Sequence, residues 1–169
     1  MEKTNIQAIF EEARRDPSLY SSLDIVALLN SVDTSRHAYL ENQTTKTVLD
    51  DIYESLNGLT CTAPEKEILY SKLTEFRFVD DLTHIQMGKF IRWIRKDKTP
   101  FRLTNGGLVV NVKFSDSGAV IVCKCTGNRF TQFKMDECLC YQKLSTEELL
   151  LLMAYENIGK SSALPAVRG

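Results

Sequence analysis

Near residue 86 the apolar periodicity of this chain changes, and that change constrains the fold more than any other feature. Upstream, apolar residues recur at helical spacing; downstream they fall into short β-rich runs cut by "TNGG", "SDSG" and "TGN". A 3.6-residue stripe and a two-residue alternation bury their apolar faces differently, so one chain with both in blocks reads as α+β. The expected architecture is an N-terminal helical unit, a small antiparallel β-barrel, SH3-like or similar, and a C-terminal packing helix.

The helical half has recognisable starts and stops. "TNIQAIFEEARR" opens with Thr4 and Gln7 at capping-box spacing and repeats Ile6, Ile9, Phe10 and Ala13 on one stripe. Asp16-Pro17 restarts the chain, and "SSLDIVALLNSV" predicts a second helix. "TTKTVLDDIYESLNG" predicts a third, with Val48, Leu49, Ile52 and Leu56 inward and Gly58 as its stop. "APEKEILYSKLTEF" starts on Pro64 in a first turn and lines up Ile68, Leu69, Leu73 and Phe76.

In the second half, "LVVNVKF", "AVIVCKC", "RFTQFKM" and "CLCYQK" predict the strands of a meander, with "TNGG" as one of its hairpin turns. A sheet this short needs closure or a cover to protect its edges. "STEELLLLMAYENIG" offers a covering helix: Ser145 and Glu148 stand at capping-box spacing, and Gly159 is its expected end. The domains expected are residues 1–79, helical; 80–158, barrel and helix; and 159–169, a flexible tail.

"GKFIRWIRKDKTPFR" reads two ways. Met87, Phe90, Ile91 and Ile94 fit a helical stripe, whereas Gly88, the β-branched and aromatic content of "FIRWI" and the meander that follows favour a strand. A strand is the prediction.

With 43% hydrophobic and 25% charged residues the chain can bury a core and remain in solution. The acidic, amphipathic start lacks the basic flank and apolar run of a signal peptide, and no apolar run approaches the ~20 residues of a membrane span. Five cysteines, an odd number, suit reduced thiols and an intracellular setting, cytoplasmic or nuclear. A net charge of -1 conceals an asymmetry, because residues 1–88 hold eight Lys or Arg against fifteen Asp or Glu, and residues 89–169 hold thirteen against seven. The basic half therefore invites an anionic partner, or the two halves attract each other.

Catalytic and metal signals are thin. Cys123, Cys125, Cys138 and Cys140 read C-x-C-x12-C-x-C. Residues i and i+2 of a strand lie ~6.5 Å apart, poorly placed to share one zinc, and neither pair contains a glycine to turn the chain. Buried core thiols are expected, with no metal site, and hairpin pairing about "TGN" sets Cys123 near Gln132. His37 follows "DTSR" in a polar loop, and His84 sits beside Asp80 and Asp81, acids suited to a helix start. No phosphate-loop, nucleophile-elbow, zinc-protease or dinucleotide motif is present, so neither an enzyme nor a cofactor is expected.

The succession Gly88, "FIRW", a basic turn, "NGG" and short strands ending near "CYQKLS" resembles small β-barrel segments in uncharacterised proteins of large cytoplasmic DNA viruses. The resemblance covers about residues 86–145 and implies an SH3-like or similar small barrel and a viral origin; it brings no functional residue with it.

The functional expectation rests on the basic strip. Lys89, Arg92, Arg95, Lys96, Lys98 and Arg102 interleave with Phe90, Trp93 and Phe101, and Asp97 is the one acid among them. Cations displace counterions from a phosphate backbone, and an aromatic face stacks on a base for ~1–3 kcal/mol. The expected function is sequence-tolerant nucleic-acid binding, with Trp93 as the stacking residue. The alternative is a structural or scaffolding protein, a virion component or one that self-associates, acting through protein contacts, with the cations as a solvated rim.

Overall fold

The computed structural model describes the backbone of residues 34–166 and the side chains of residues 37–156. The helices expected at 4–15 and 21–32, and the last residues of the expected tail, lie outside the described residues. The chain divides into two compact units, residues 46–144 and residues 1–45 with 145–169.

In the first unit, α1 (Thr45–Asn57) buries Val48, Ile52 and Leu56 on the expected stripe and ends at Gly58. α2 (Ala63–Ser71) starts on a capping box: the Thr62 side chain accepts from the Glu65 amide, the Glu65 carboxylate accepts from the Thr62 amide at 2.7 Å, and Pro64 occupies the first turn. That backbone hydrogen bond holds the Glu65 carboxyl below its usual range. The helix was expected over "APEKEILYSKLTEF", to Phe76, in a domain helical to residue 79, but it stops at Ser71. "FRFV" instead forms β1 (Phe76–Val79), because its alternating side chains and backbone pair with β6 (Cys138–Lys143) from Phe76↔Lys143 to Val79↔Cys140. Leu69, Leu73 and Phe76 are buried as expected, whereas Ile68 is exposed.

The remaining strands are β2 (Phe90–Arg95), β3 (Gly107–Ser115), β4 (Gly118–Cys125) and β5 (Arg129–Lys134). All pairings are antiparallel and the order is β1-β6-β2-β3-β4-β5. β6 leaves the meander to lie between β1 and β2. "FIRWIR" is a strand, as expected, and "SDSG" and "TGN" turn β3 into β4 and β4 into β5. "NGG" does not make a hairpin turn. At Gly106, with φ +84°, a Cβ would meet the Ile91 carbonyl oxygen, and at Gly107 it would come within 2.8 Å of the Lys124 carbonyl, so this pair permits β3 to approach its neighbours.

The sheet is strongly curled. Its concave face gathers Val79, Ile91, Trp93, Val109, Ile121, Cys123, Phe133, Cys138 and Cys140, a core that draws on every strand. Trp93 on β2 and Phe133 on β5 stack with ring centroids 4.1 Å apart, although three places separate their strands in the order. β1 and β5 remain edges, so the sheet is not closed into the expected barrel. The other face carries a second core in which Ile52, Leu56, Leu59, Leu69 and Leu73 pack on Phe76, Ile94 and Tyr141. The Tyr141 hydroxyl meets Ser55 Oγ on α1 at 2.7 Å. These two helices therefore share a unit with the sheet, and the boundary expected at residue 79 falls inside it.

A polar group closes one end of the concave face. Gln142, fully buried, accepts from the Gln86 amide at 2.8 Å and donates to the Gln86 carbonyl at 2.7 Å. Its Oε1 also accepts from buried Arg77, whose guanidinium donates to the His84 carbonyl at 2.6 Å. The segment between β1 and β2 is thereby held across the core end.

The second unit contains a 3-10 segment, Thr34–Leu40, and α3 (Thr146–Ala166). Ser145 and Glu148 form the expected capping box. Tyr39 donates to Glu148 at 2.9 Å, and His37, expected in a polar loop, is buried with Nε2 3.3 Å from Glu147. α3 runs through Gly159 to Ala166, since one glycine costs a helix only about 1 kcal/mol relative to alanine. No helix among the described residues is long and apolar enough to cross a membrane.

Gln142→Leu removes the buried hydrogen bonds that Gln142 makes with the Gln86 amide, the Gln86 carbonyl and Arg77. At about 0.5–1.5 kcal/mol for each hydrogen bond lost, urea unfolding should show a loss of roughly 2–4 kcal/mol.

Candidate functional site

Strand alternation divides the basic strip. In β2, Phe90, Arg92 and Ile94 take the helix-covered face, and Ile91, Trp93 and Arg95 the concave one. Arg92 is half-buried; its Nε donates to the Thr104 carbonyl at 2.7 Å, and burial lowers its pKa. Arg95 forks onto Asp97 with two hydrogen bonds of 3.0 Å and stands 3.6 Å from Glu137. The Arg95 hydrogen bond holds the Asp97 carboxyl below its usual range. Lys89 and Lys96 are exposed, and Lys96 lines a cleft of about 400 Å³ shared with Asp80 and Asp136.

Three cations do come together. Arg95, Lys98 and Arg102 line a cleft of about 330 Å³ with Thr99, Pro100 and Thr104. Thr104 also lines a second cleft, of about 390 Å³, with Asn105, Gly106, Cys125, Thr126, Arg129, Phe130 and Thr131 around it and Trp93 as a further wall. The two clefts adjoin at this threonine, whose Oγ1 accepts from the Trp93 amide at 3.1 Å. Lys98, Arg102 and Arg129 are exposed, and none has an ion-pair partner within 4 Å among the described residues.

Trp93 has a structural position. It is 5% exposed and covered by Phe133, so a base cannot stack on its face while the core is closed. Phe101 packs partly against the helix-side core. The aromatic lining these clefts that reaches solvent is Phe130, 65% exposed on β5; Phe114, 78% exposed on β3, lines neither cleft. Reasoning from the sequence missed Phe130 and Arg129, although a signal was present: Phe130 and Phe133 stand three apart in one strand, so they face opposite sides and only one can enter the core.

The four strand cysteines lie in the concave core, with Cys123, Cys138 and Cys140 buried and Cys125 half-buried, whereas Cys61 packs against the helix-side core. Cys123 pairs with Thr131, one residue from the expected Gln132, because the "TGN" connection is a three-residue turn with Gly127 and Asn128 at positive φ. Among the described residues no three His, Cys, Asp or Glu side chains are grouped to hold a metal. Burial pushes the Cys123 thiol from 9.0 up to about 12 and the Cys138 thiol up to about 11. His84 is half-buried in a 3-10 turn capped by Asp81, whose side chain accepts from the Thr83 amide at 2.8 Å.

No family model matches the chain, and no curated protein or solved structure matches it.

Trp93→Ala should destabilise the protein by roughly 3–5 kcal/mol in urea unfolding, the scale of large-to-small core substitutions. Parent Trp93, the one tryptophan, should show blue-shifted emission and resist iodide quenching.

The thiols predict an alkaline limit. Their folded pKa values lie above 9.0, so between that value and about 11–12 the unfolded chain binds fewer protons than the folded one, and stability falls as pH rises through this window. Stability measured from pH 8 upward should decline there less steeply in a Cys123→Ala variant than in the parent.

Proposed function

We propose that this protein is a non-catalytic, sequence-tolerant nucleic-acid-binding module whose phosphate contacts are made by Lys98, Arg102 and Arg129, with Arg95 oriented beside them by Asp97. The observation that carries the reading is that two clefts share Thr104, one lined by Arg95, Lys98 and Arg102 and the other, more polar, by Arg129. Cations without carboxylate partners keep their counterions until a polyanion displaces them, which is the entropic source of non-specific nucleic-acid affinity. Asn105, Thr126 and Thr131 add hydroxyl and amide groups of the kind that position sugar and phosphate without reading sequence. With Trp93 inside the core, the affinity in this proposal comes from charge, so strong salt dependence and weak base preference follow. The proposal takes the curled sheet as an SH3-like scaffold working inside the cell.

The test is fluorescence anisotropy with labelled single-stranded and duplex DNA and RNA over a salt series. The triple variant Lys98→Gln, Arg102→Gln, Arg129→Gln should bind every sequence more weakly and lower the salt slope by roughly 0.7–0.9 per phosphate contact removed. Lys143→Gln, at an exposed position on β6, should leave the slope unchanged. The reading fails if the parent does not bind at low salt, or if the triple variant keeps the parent's slope.

A further inference from the structure

β5 ends the sheet, and among the described residues its backbone hydrogen-bonds with β4 alone. A strand edge left in this state is a template for a further strand. The opposite edge, β1, has four residues, of which Phe76, Arg77 and Val79 are buried. β5 has six, of which residues 129–132 are all exposed. β5 has neither a proline nor a bulge, since its register with β4 is unbroken from Val120↔Lys134 to Cys125↔Arg129, and its two charges, Arg129 and Lys134, stand at its ends.

The sheet face turned away from the concave core continues this edge. Leu108, Lys124 and Phe130 form one row across β3, β4 and β5, and Lys113, Val120 and Lys134 another. Phe130 and Leu108 are large apolar side chains in solvent, and neither row contains a carboxylate. Lys134 lies 3.7 Å from Glu137, whereas Lys113, Lys124 and Arg129 have no ion-pair partner among the described residues.

We propose that the outer edge of β5, together with this face, docks an extended acidic segment of a partner protein as a seventh strand. Three features select that occupant. Free peptide groups along an edge are matched by another backbone in a repeating ladder, which a nucleic acid does not provide. The exposed apolar side chains are one aromatic among aliphatic residues, suited to an apolar anchor rather than to successive stacked bases. The charges on these two rows are all positive, so carboxylates on the segment are complementary. A second copy of the chain is disfavoured by the same charges, since joining two β5 edges would gather Lys124, Arg129 and Lys134 of both copies at one junction, with no carboxylate in either β5 strand.

The probe is an N-acetylated synthetic octapeptide of alternating glutamate and valine, with a lysine–valine peptide as control. Amide hydrogen exchange and fluorescence anisotropy are read on the full chain at low salt. The expected result is protection of amides within residues 129–134 by the glutamate peptide and none by the lysine peptide. Phe130→Lys and Lys124→Glu should each weaken binding by roughly tenfold, the loss of about 1.4 kcal/mol. Both positions are exposed, so their melting should match the parent's. Lys98→Gln with Arg102→Gln should leave peptide binding intact while weakening nucleic acid, so this docking and the proposed nucleic-acid function fail separately. The proposal is overturned if the peptide leaves those amides unprotected at about 1 mM, the weak limit of useful affinity, or if Phe130→Lys binds it as the parent does. It is equally overturned if sedimentation shows a dimer that Phe130→Lys abolishes, or if DNA protects those amides and the peptide does not.

Discussion

β6 is the strand on which both cores of the sheet-bearing unit depend. It lies between β1 and β2, hydrogen-bonded on both sides, and its alternate residues enter different cores: Cys138 and Cys140 the concave one, Leu139 and Tyr141 the helix-covered one. A strand buried on both faces leaves little freedom of register, because a slip of one residue would exchange the two sets of side chains. Gln142 adds a further restraint. Its amide can satisfy the Gln86 backbone and Arg77 only when Ile91↔Gln142 and Arg77↔Gln142 are both in place.

From this anchor the chain curls outward through β3, β4 and β5, and the Trp93–Phe133 stack holds the curl. The same stack has a functional consequence, since it withdraws the aromatic that the basic strip displays in sequence. The cations around it then divide by strand parity and by their acids. Arg92 reaches a backbone carbonyl, Arg95 is occupied by Asp97 and Glu137, and among the described residues Lys98, Arg102 and Arg129, the last distant in sequence, have no ion-pair partner within 4 Å. Polyanion binding, as proposed, uses what remains after internal pairing, and the strand-docking surface uses what the open sheet leaves on β5.

Much of the local structure was legible because local physics decides it. The Val48–Ile52–Leu56 stripe, the Ser145–Glu148 cap and the "SDSG" hairpin depend on interactions between residues close in sequence. The thiols were legible for a related reason, since their spacing within strands is better suited to a core than to a shared ion. The end of α2 was not legible: "KLTEF" continues a helical stripe in sequence, and only the pairing of β1 with a strand some sixty residues later converts its end to strand.

The sequence by itself determined the α+β class, the antiparallel character of the second half and its excess of positive charge, because periodicity, turn residues and composition are properties of the chain. The tertiary structure decided which strand lies beside which, that the sheet remains open between β1 and β5, and which cations are free. It also decided that Trp93 is covered and Phe130 is not. These follow from long-range pairing, and two aromatics with equal claims to the core are told apart only by the residues that close over one of them.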